Sequence, residues 1–182
     1  DSLTDGQVIT DFFPNNIKYK IYSYTPGDKT QKDIKITLTR VNVRFTFYVY
    51  LSLRDIKFNE NLASIYDERI SGYNWISDSN NEVTISTKDK KYKKKGPYYI
   101  VVLRDLTTDI DNHGDEKIDD DLIMRFYLGA TKEGKPFYLK EGVEHSVTLT
   151  KNYKYQNYLY THYNFSQPFQ LVVNILNGQV ES

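Results

Sequence analysis

Apolar and polar residues alternate with a period of two along much of the chain, the signature of strands with one face in a core. Residues 33–39 set Ile34, Ile36 and Leu38 on one face and Lys35, Thr37 and Thr39 on the other. Residues 44–51 gather Phe45, Phe47, Val49 and Leu51 in the same way, and residues 82–87 direct Val83 and Ile85 inward. Residues 97–103 are almost continuously apolar, which predicts a strand buried on both faces. Looser alternation predicts strands over 17–24, 122–128, 144–149, 153–160 and 169–176, with Thr25-Pro26-Gly27-Asp28 as a turn and Gly129 ending the strand before it. A long irregular stretch surrounds Trp75, with a short helix expected near residues 62–70. The expected fold class is all-β: an antiparallel β-sandwich, jelly-roll-like.

The chain also repeats itself. Residues 3–24 align without gaps to 139–160, an offset of 136 (139 − 3). Identical pairs are Leu3/Leu139, Gly6/Gly142, Asn16/Asn152, Lys18/Lys154, Tyr19/Tyr155, Tyr22/Tyr158 and Tyr24/Tyr160. After a one-residue gap, Ile34, Ile36 and Leu38 match Leu171, Val173 and Ile175. This predicts one complete sandwich over 1–136 and the opening part of a second over 137–182. A half-built sandwich leaves open strand edges and an uncovered apolar face. The second copy is therefore expected to be completed by another chain, by further sequence or by the first domain.

Composition sharpens the class. The chain of 182 residues carries 17 Tyr and 9 Phe, which suit pleated, half-buried surfaces. Lys+Arg and Asp+Glu are both 24, so the basic excess that nucleic acid would require is missing. With no Cys, disulfide scaffolds, thiol catalysis and thiolate metal sites drop out. No apolar run is long enough to predict a membrane span.

The order of Tyr22-Ser-Tyr24, Ile34-Lys-Ile-Thr-Leu38, Phe45-Thr-Phe-Tyr-Val49, Trp75, Val83-Thr-Ile85 and Gly96-Pro-Tyr-Tyr-Ile-Val-Val102 resembles the bacterial pre-peptidase C-terminal domain family. The resemblance covers about residues 17–128 and departs from the family at the insertion over 56–80 and at Asn42. It implies a small, non-catalytic sandwich of a secreted or surface protein, sometimes in tandem.

Candidate chemistry is sparse. His113, His145 and His162 fall in separate segments, and no nucleophile elbow, His-Glu-x-x-His pair or phosphate loop occurs, so the chain is not expected to be an enzyme. Asp109, Asp111, Asp115 and Asp120, with Gly114 at the turn, mimic the spacing of an oxygen-ligand calcium loop. His113 stands where that loop wants oxygen, and a solvated acidic hairpin explains the same residues. Asn164-Phe165-Ser166 is a glycosylation sequon. Six Lys within residues 88–95 could grip a polyanion, although such runs more often protect a hairpin tip from aggregation. The Tyr-rich strands could stack on sugars, or simply pack across strands.

The expected function is that of an extracellular or cell-surface structural protein whose copies join head to tail by strand complementation into a filament or fibril. The residues expected to carry assembly are Val147, Leu149, Tyr158, Tyr160, Leu171, Val173 and Ile175. The alternative is a non-catalytic carbohydrate- or matrix-binding module of a larger secreted protein.

Overall fold

The computed structural model describes residues 1–14, 17, 19–40, 45–58, 70–104, 124–151, 154–162 and 166–174. In chain order the strands are β1 (Ser2–Leu3), β2 (Val8–Phe13), β3 (Tyr19–Tyr24), β4 (Ile34–Arg40), β5 (Phe45–Tyr50), β6 (Lys57–Phe58), β7 (Ile70–Ser71), β8 (Trp75–Ile76), β9 (Glu82–Ile85), β10 (Tyr98–Arg104), β11 (Met124–Lys132), β12 (Phe137–Leu139) and β13 (Tyr158–Tyr160). The one helical element among the described residues is a 3-10 turn at Leu53–Asp55. The helix expected near 62–70 falls outside the described residues, except that Ile70 opens β7.

Two sheets make the sandwich. The first is five-stranded in the order β1-β3-β10-β5-β8, the second four-stranded in the order β2-β11-β4-β9. All their pairs are antiparallel except β1 with β3. The alternation of β4 and β5 puts Ile34, Ile36 and Leu38 of one sheet against Phe47 and Val49 of the other. Aromatic residues fill the gap between layers: Phe126 of β11 lies edge-on to Tyr22 of β3, with ring centroids 6.2 Å apart. As its composition predicts, β10 is covered on both faces: Ile100 and Val102 lie in the core, while Val101 packs outside with Tyr48 and Tyr50.

Polar groups pin the rim of this core. The Tyr22 hydroxyl donates to Asp11 on β2 at 2.6 Å, and Lys20 reaches the same carboxylate at 2.6 Å. Lys132, fully buried at the end of β11, spends its ammonium on Asp28 and on the Thr30 carbonyl at 2.8 Å. At the same end the buried Tyr98 donates to the Lys93 carbonyl at 2.8 Å and accepts from the Lys93 amide at 2.7 Å, and Tyr92 donates to the Lys32 carbonyl. The lysine run thus forms the exposed turn that closes one end of the sandwich.

Three sequence expectations change. Residues 8–13 were not expected as a strand, yet β2 forms an edge of the second sheet. Gly129 does not end its strand: β11 runs through it to Lys132. A Cβ there would meet the Phe137 ring at 3.0 Å and Thr37 Oγ1 at 3.3 Å, so the missing side chain makes room for what packs outside the sheet. Finally, residues 144–149 and the described part of 169–176 form no strand.

Candidate functional site

The outward residues of β4 look solvent-facing by pattern, but Lys35, Thr37 and Thr39 are all buried. Residues 143–148 lie across them as a strap. The Ser146 amide donates to Thr39 Oγ1 at 2.7 Å, and the Thr148 amide donates to Glu82 Oε1 at 2.5 Å. Lys35 Nζ donates to the Thr148 carbonyl at 2.7 Å and pairs with Glu82 Oε2 at 3.1 Å. The strap is therefore held through side chains of the sheet beneath it, not through a strand ladder.

Its centre is an aromatic stack. Phe137, fully buried, packs with Val8 and Tyr127 on the outside of the second sheet. The His145 ring lies 4.1 Å from that of Phe137. His145 Nε2 is 2.9 Å from Thr37 Oγ1, and Nδ1 is 3.1 Å from the Tyr158 hydroxyl. Burial, helped by the Lys35 charge, lowers the His145 pKa to about 4, so the ring is neutral at pH 7. Burial also raises the Glu82 carboxyl above its ordinary value, against the pull of Lys35. A neutral imidazole next to a compensated ion pair suits a structural clasp.

Beyond the strap, β12 and β13 form a two-stranded parallel sheet with Leu139 opposite Tyr160 and Tyr138 opposite Leu159. In the sandwich β1 and β3 are also parallel, with Leu3 opposite Tyr24 and Ser2 opposite Ser23. The 136-residue offset of the sequence repeat carries one pairing onto the other, residue for residue. The turns following β1 and β12 agree too: Gln7 donates to the Thr4 carbonyl at 3.1 Å and Val143 to the Lys140 carbonyl at 3.2 Å. Gly6 and Gly142 take left-handed φ values of 78° and 70° at the same place in each turn.

The residues expected to carry assembly separate into two groups. Val147 is half-buried in the strap, whereas Leu149 is exposed at its end. Tyr158 and Tyr160 stand together on β13. Leu171 and Val173 lie in an exposed run with Phe169 and Val172, all four between 61% and 72% exposed. Ile175, the calcium candidates Asp109, Asp111, Asp115 and Asp120, and the sequon residue Asn164 lie outside the described residues. Among the described residues no acidic or histidine cluster could hold a metal ion, and no helix is long and apolar enough to cross a membrane. Sequence reasoning missed the clasp of Lys35, Thr37, Thr39, Glu82 and His145. Its only sequence signal is the polar alternation of residues 144–148 facing the polar alternation of β4.

No family model and no curated protein matches the chain. Among solved structures it is similar to the pre-peptidase C-terminal domain of a collagenase from Bacillus anthracis, at a TM-score of 0.42 and 12% identity, over 72% of this chain and 93% of that one. It is also similar to a periplasmic inhibitor of g-type lysozyme from Aeromonas hydrophila, at a TM-score of 0.32 and 12% identity, over 71% of this chain and 96% of that one. The first belongs to the family whose strand order the sequence resembles.

Proposed function

We propose that the chain is a non-catalytic, extracellular β-sandwich protein whose copies assemble head to tail, residues 137–182 of one engaging the next by strand addition. One observation carries the reading: Phe169, Leu171, Val172 and Val173, interrupted only by Gln170, are β-prone and 61–72% exposed. An apolar run of this kind outside any sheet is costly in water and is a ready donor strand. A donor strand that engages another copy joins copies heterologously and propagates unless rotation closes a ring. The extracellular placement rests on the resemblance of residues 17–128 to a family of secreted and surface domains.

The strap sets where a truncation must fall. Removing residues 139–182 would uncover Lys35, Thr37 and Glu82, so the informative variant ends after His162 and keeps the strap and β13. Analytical ultracentrifugation and electron microscopy should find assemblies of the full chain and monomers of the shortened one. A full chain that stays monomeric at high concentration, or a shortened one that assembles equally well, overturns the reading.

A further inference from the structure

We infer that the lysine-bearing end of the sandwich, built jointly by the turns 25–33, 86–97 and 133–136, binds a linear anionic polysaccharide. This is independent of the assembly reading and holds for a monomer or an assembly alike.

Strand register brings the three turns together. Tyr98 lies opposite Tyr24, and Ile34 lies opposite both Ile85 and Lys132, so the turns that follow β3, β9 and β11 share one end of the molecule. Asp33 joins them: its carboxylate accepts from the Thr87 amide at 2.7 Å and its carbonyl from the Glu133 amide at 2.8 Å. Tyr92 adds a second tie, donating its hydroxyl to the Lys32 carbonyl at 2.8 Å. Turn 86–97 is also anchored from below, where Trp75 Nε1 donates to Asp89 at 2.9 Å and the Tyr98 hydroxyl holds both backbone groups of Lys93. Such a surface presents its charges from a fixed backbone and has little loop ordering left to spend on binding.

Charge at this end is not balanced locally. The three turns hold nine Lys against four acids, an excess of five (9 − 4), in a chain whose total is zero. Three of those acids are already occupied: Asp28 by Lys132 and Lys135, Asp33 by the Thr87 amide, and Asp89 by Trp75 and the Lys91 amide. Asp5, at the same rim, takes the Tyr24 hydroxyl and the Gly27 amide. Lys93 is spent as well, donating to the Leu51 carbonyl at 3.1 Å. By contrast, Lys88, Lys90, Lys91, Lys94 and Lys95 are exposed and form no ion pair among the described residues. The same holds for Lys29 and Lys32 on the neighbouring turn.

Protection of a hairpin tip does not account for the run. It crosses from β9 in the second sheet to β10, which lies between β3 and β5 in the first. It therefore caps no hairpin, and the strand it leads into has no open edge to guard.

An extended polyanion can lay its oxyanions across all three turns at once. The surface favours sugar among polyanions. None of the exposed large apolar side chains falls in these turns, so nothing here would enter a bilayer. Nor does an exposed ring stand ready to stack on bases, because Tyr92 is half-buried and packs against the core. Gln31, exposed between Lys29 and Lys32, offers the donor and acceptor that sugar hydroxyls use.

Calorimetric titration of the full chain with heparin oligosaccharides tests this, with uncharged dextran, phosphatidylserine-containing vesicles and duplex DNA in parallel. Heparin should bind, dextran should not, and affinity should fall as salt rises. Lys90→Gln/Lys94→Gln/Lys95→Gln should weaken heparin binding roughly tenfold, the worth of three exposed ion pairs. Lys29→Gln/Lys32→Gln, on a different turn, should also weaken it. Arg125→Gln/Lys151→Gln/Lys154→Gln removes three exposed charges outside the turns and should leave affinity unchanged. All these side chains are exposed, so melting temperatures should match that of the native chain. Equal losses in both triple variants would mean that net charge alone matters, and no effect of Lys29 and Lys32 would mean that the turns do not act together; either overturns the site. Binding to vesicles or DNA as tight as to heparin overturns the assignment to sugar.

Discussion

The Nε2 atom of His145 stands 2.9 Å from Oγ1 of Thr37, a residue more than 100 positions earlier on the outward face of β4. That contact ties the strap to the outside of the second sheet, in a setting where burial and the Lys35 charge disfavour the protonated ring.

A pH dependence follows. The folded pKa of His145 is about 4, against an ordinary value of 6.5. Above pH 6.5 the ring is neutral in both states and its contribution is complete. As pH falls below 6.5 the unfolded chain takes the proton first, so stability drops until about pH 4, where the folded state is protonated as well. With partial solvent access to the ring, the loss is roughly 2 kcal/mol across the window. Urea midpoints at pH 7 and pH 5 should therefore differ more for the native chain than for His145→Gln. Equal differences would mean that the ring does not titrate in a buried setting.

Next to the histidine, Lys35 and Glu82 form a pair that is only 2% and 8% exposed. Such a pair is of little net worth compared with apolar residues, but half of it is expensive to leave behind. Glu82→Gln should cost about 3–5 kcal/mol by depriving a buried ammonium of its carboxylate. Lys35→Met in the same background should recover most of that loss, because the amide of the new Gln still accepts from Thr148. Chemical denaturation of the two variants checks this, and an unrecovered double variant would place the cost elsewhere.

How much of this could be read from the chain depended on the kind of contact. The strands β4, β5 and β10 follow from side-chain alternation and continuous apolarity, because burial between two sheets imposes both. Strand β2 escaped because Asp11 points inward, and its burial makes sense only once Tyr22 and Lys20 of the other sheet reach it. Gly129 reads as a stop because glycine weakens strands, while its reason is the Phe137 ring outside the sheet. Residues 144–149 alternate like a strand, yet their partners are side chains of β4 and β9, and nothing local distinguishes the two cases. The repeat was visible in Leu3/Leu139 and Tyr24/Tyr160. That Leu3 sits beside Tyr24, and Leu139 beside Tyr160, in parallel ladders depends on where the chain goes between them, which no short window of sequence records.

The repeated turn gives the sharpest comparison of all. Gly6 and Gly142 share a left-handed backbone, so alanine at either should cost about 1–2 kcal/mol for conformation alone. Their surroundings differ. A Cβ on Gly6 would lie 2.2 Å from the Pro136 carbonyl oxygen and against the Tyr138 ring, where the Tyr138 amide also donates to the Gly6 carbonyl at 2.8 Å. A Cβ on Gly142 meets nothing within 4 Å. Gly6→Ala must therefore displace the chain where β12 meets the sandwich, adding about 1–3 kcal/mol of overpacking to the shared conformational cost. Gly142→Ala should show only the shared cost. Denaturant midpoints at unchanged slope measure both, and hydrogen exchange at the Tyr138 amide should accelerate in the Gly6 variant alone. If the two alanines proved equally costly and the Tyr138 amide stayed protected, β12 would not be seated on the sandwich at this turn.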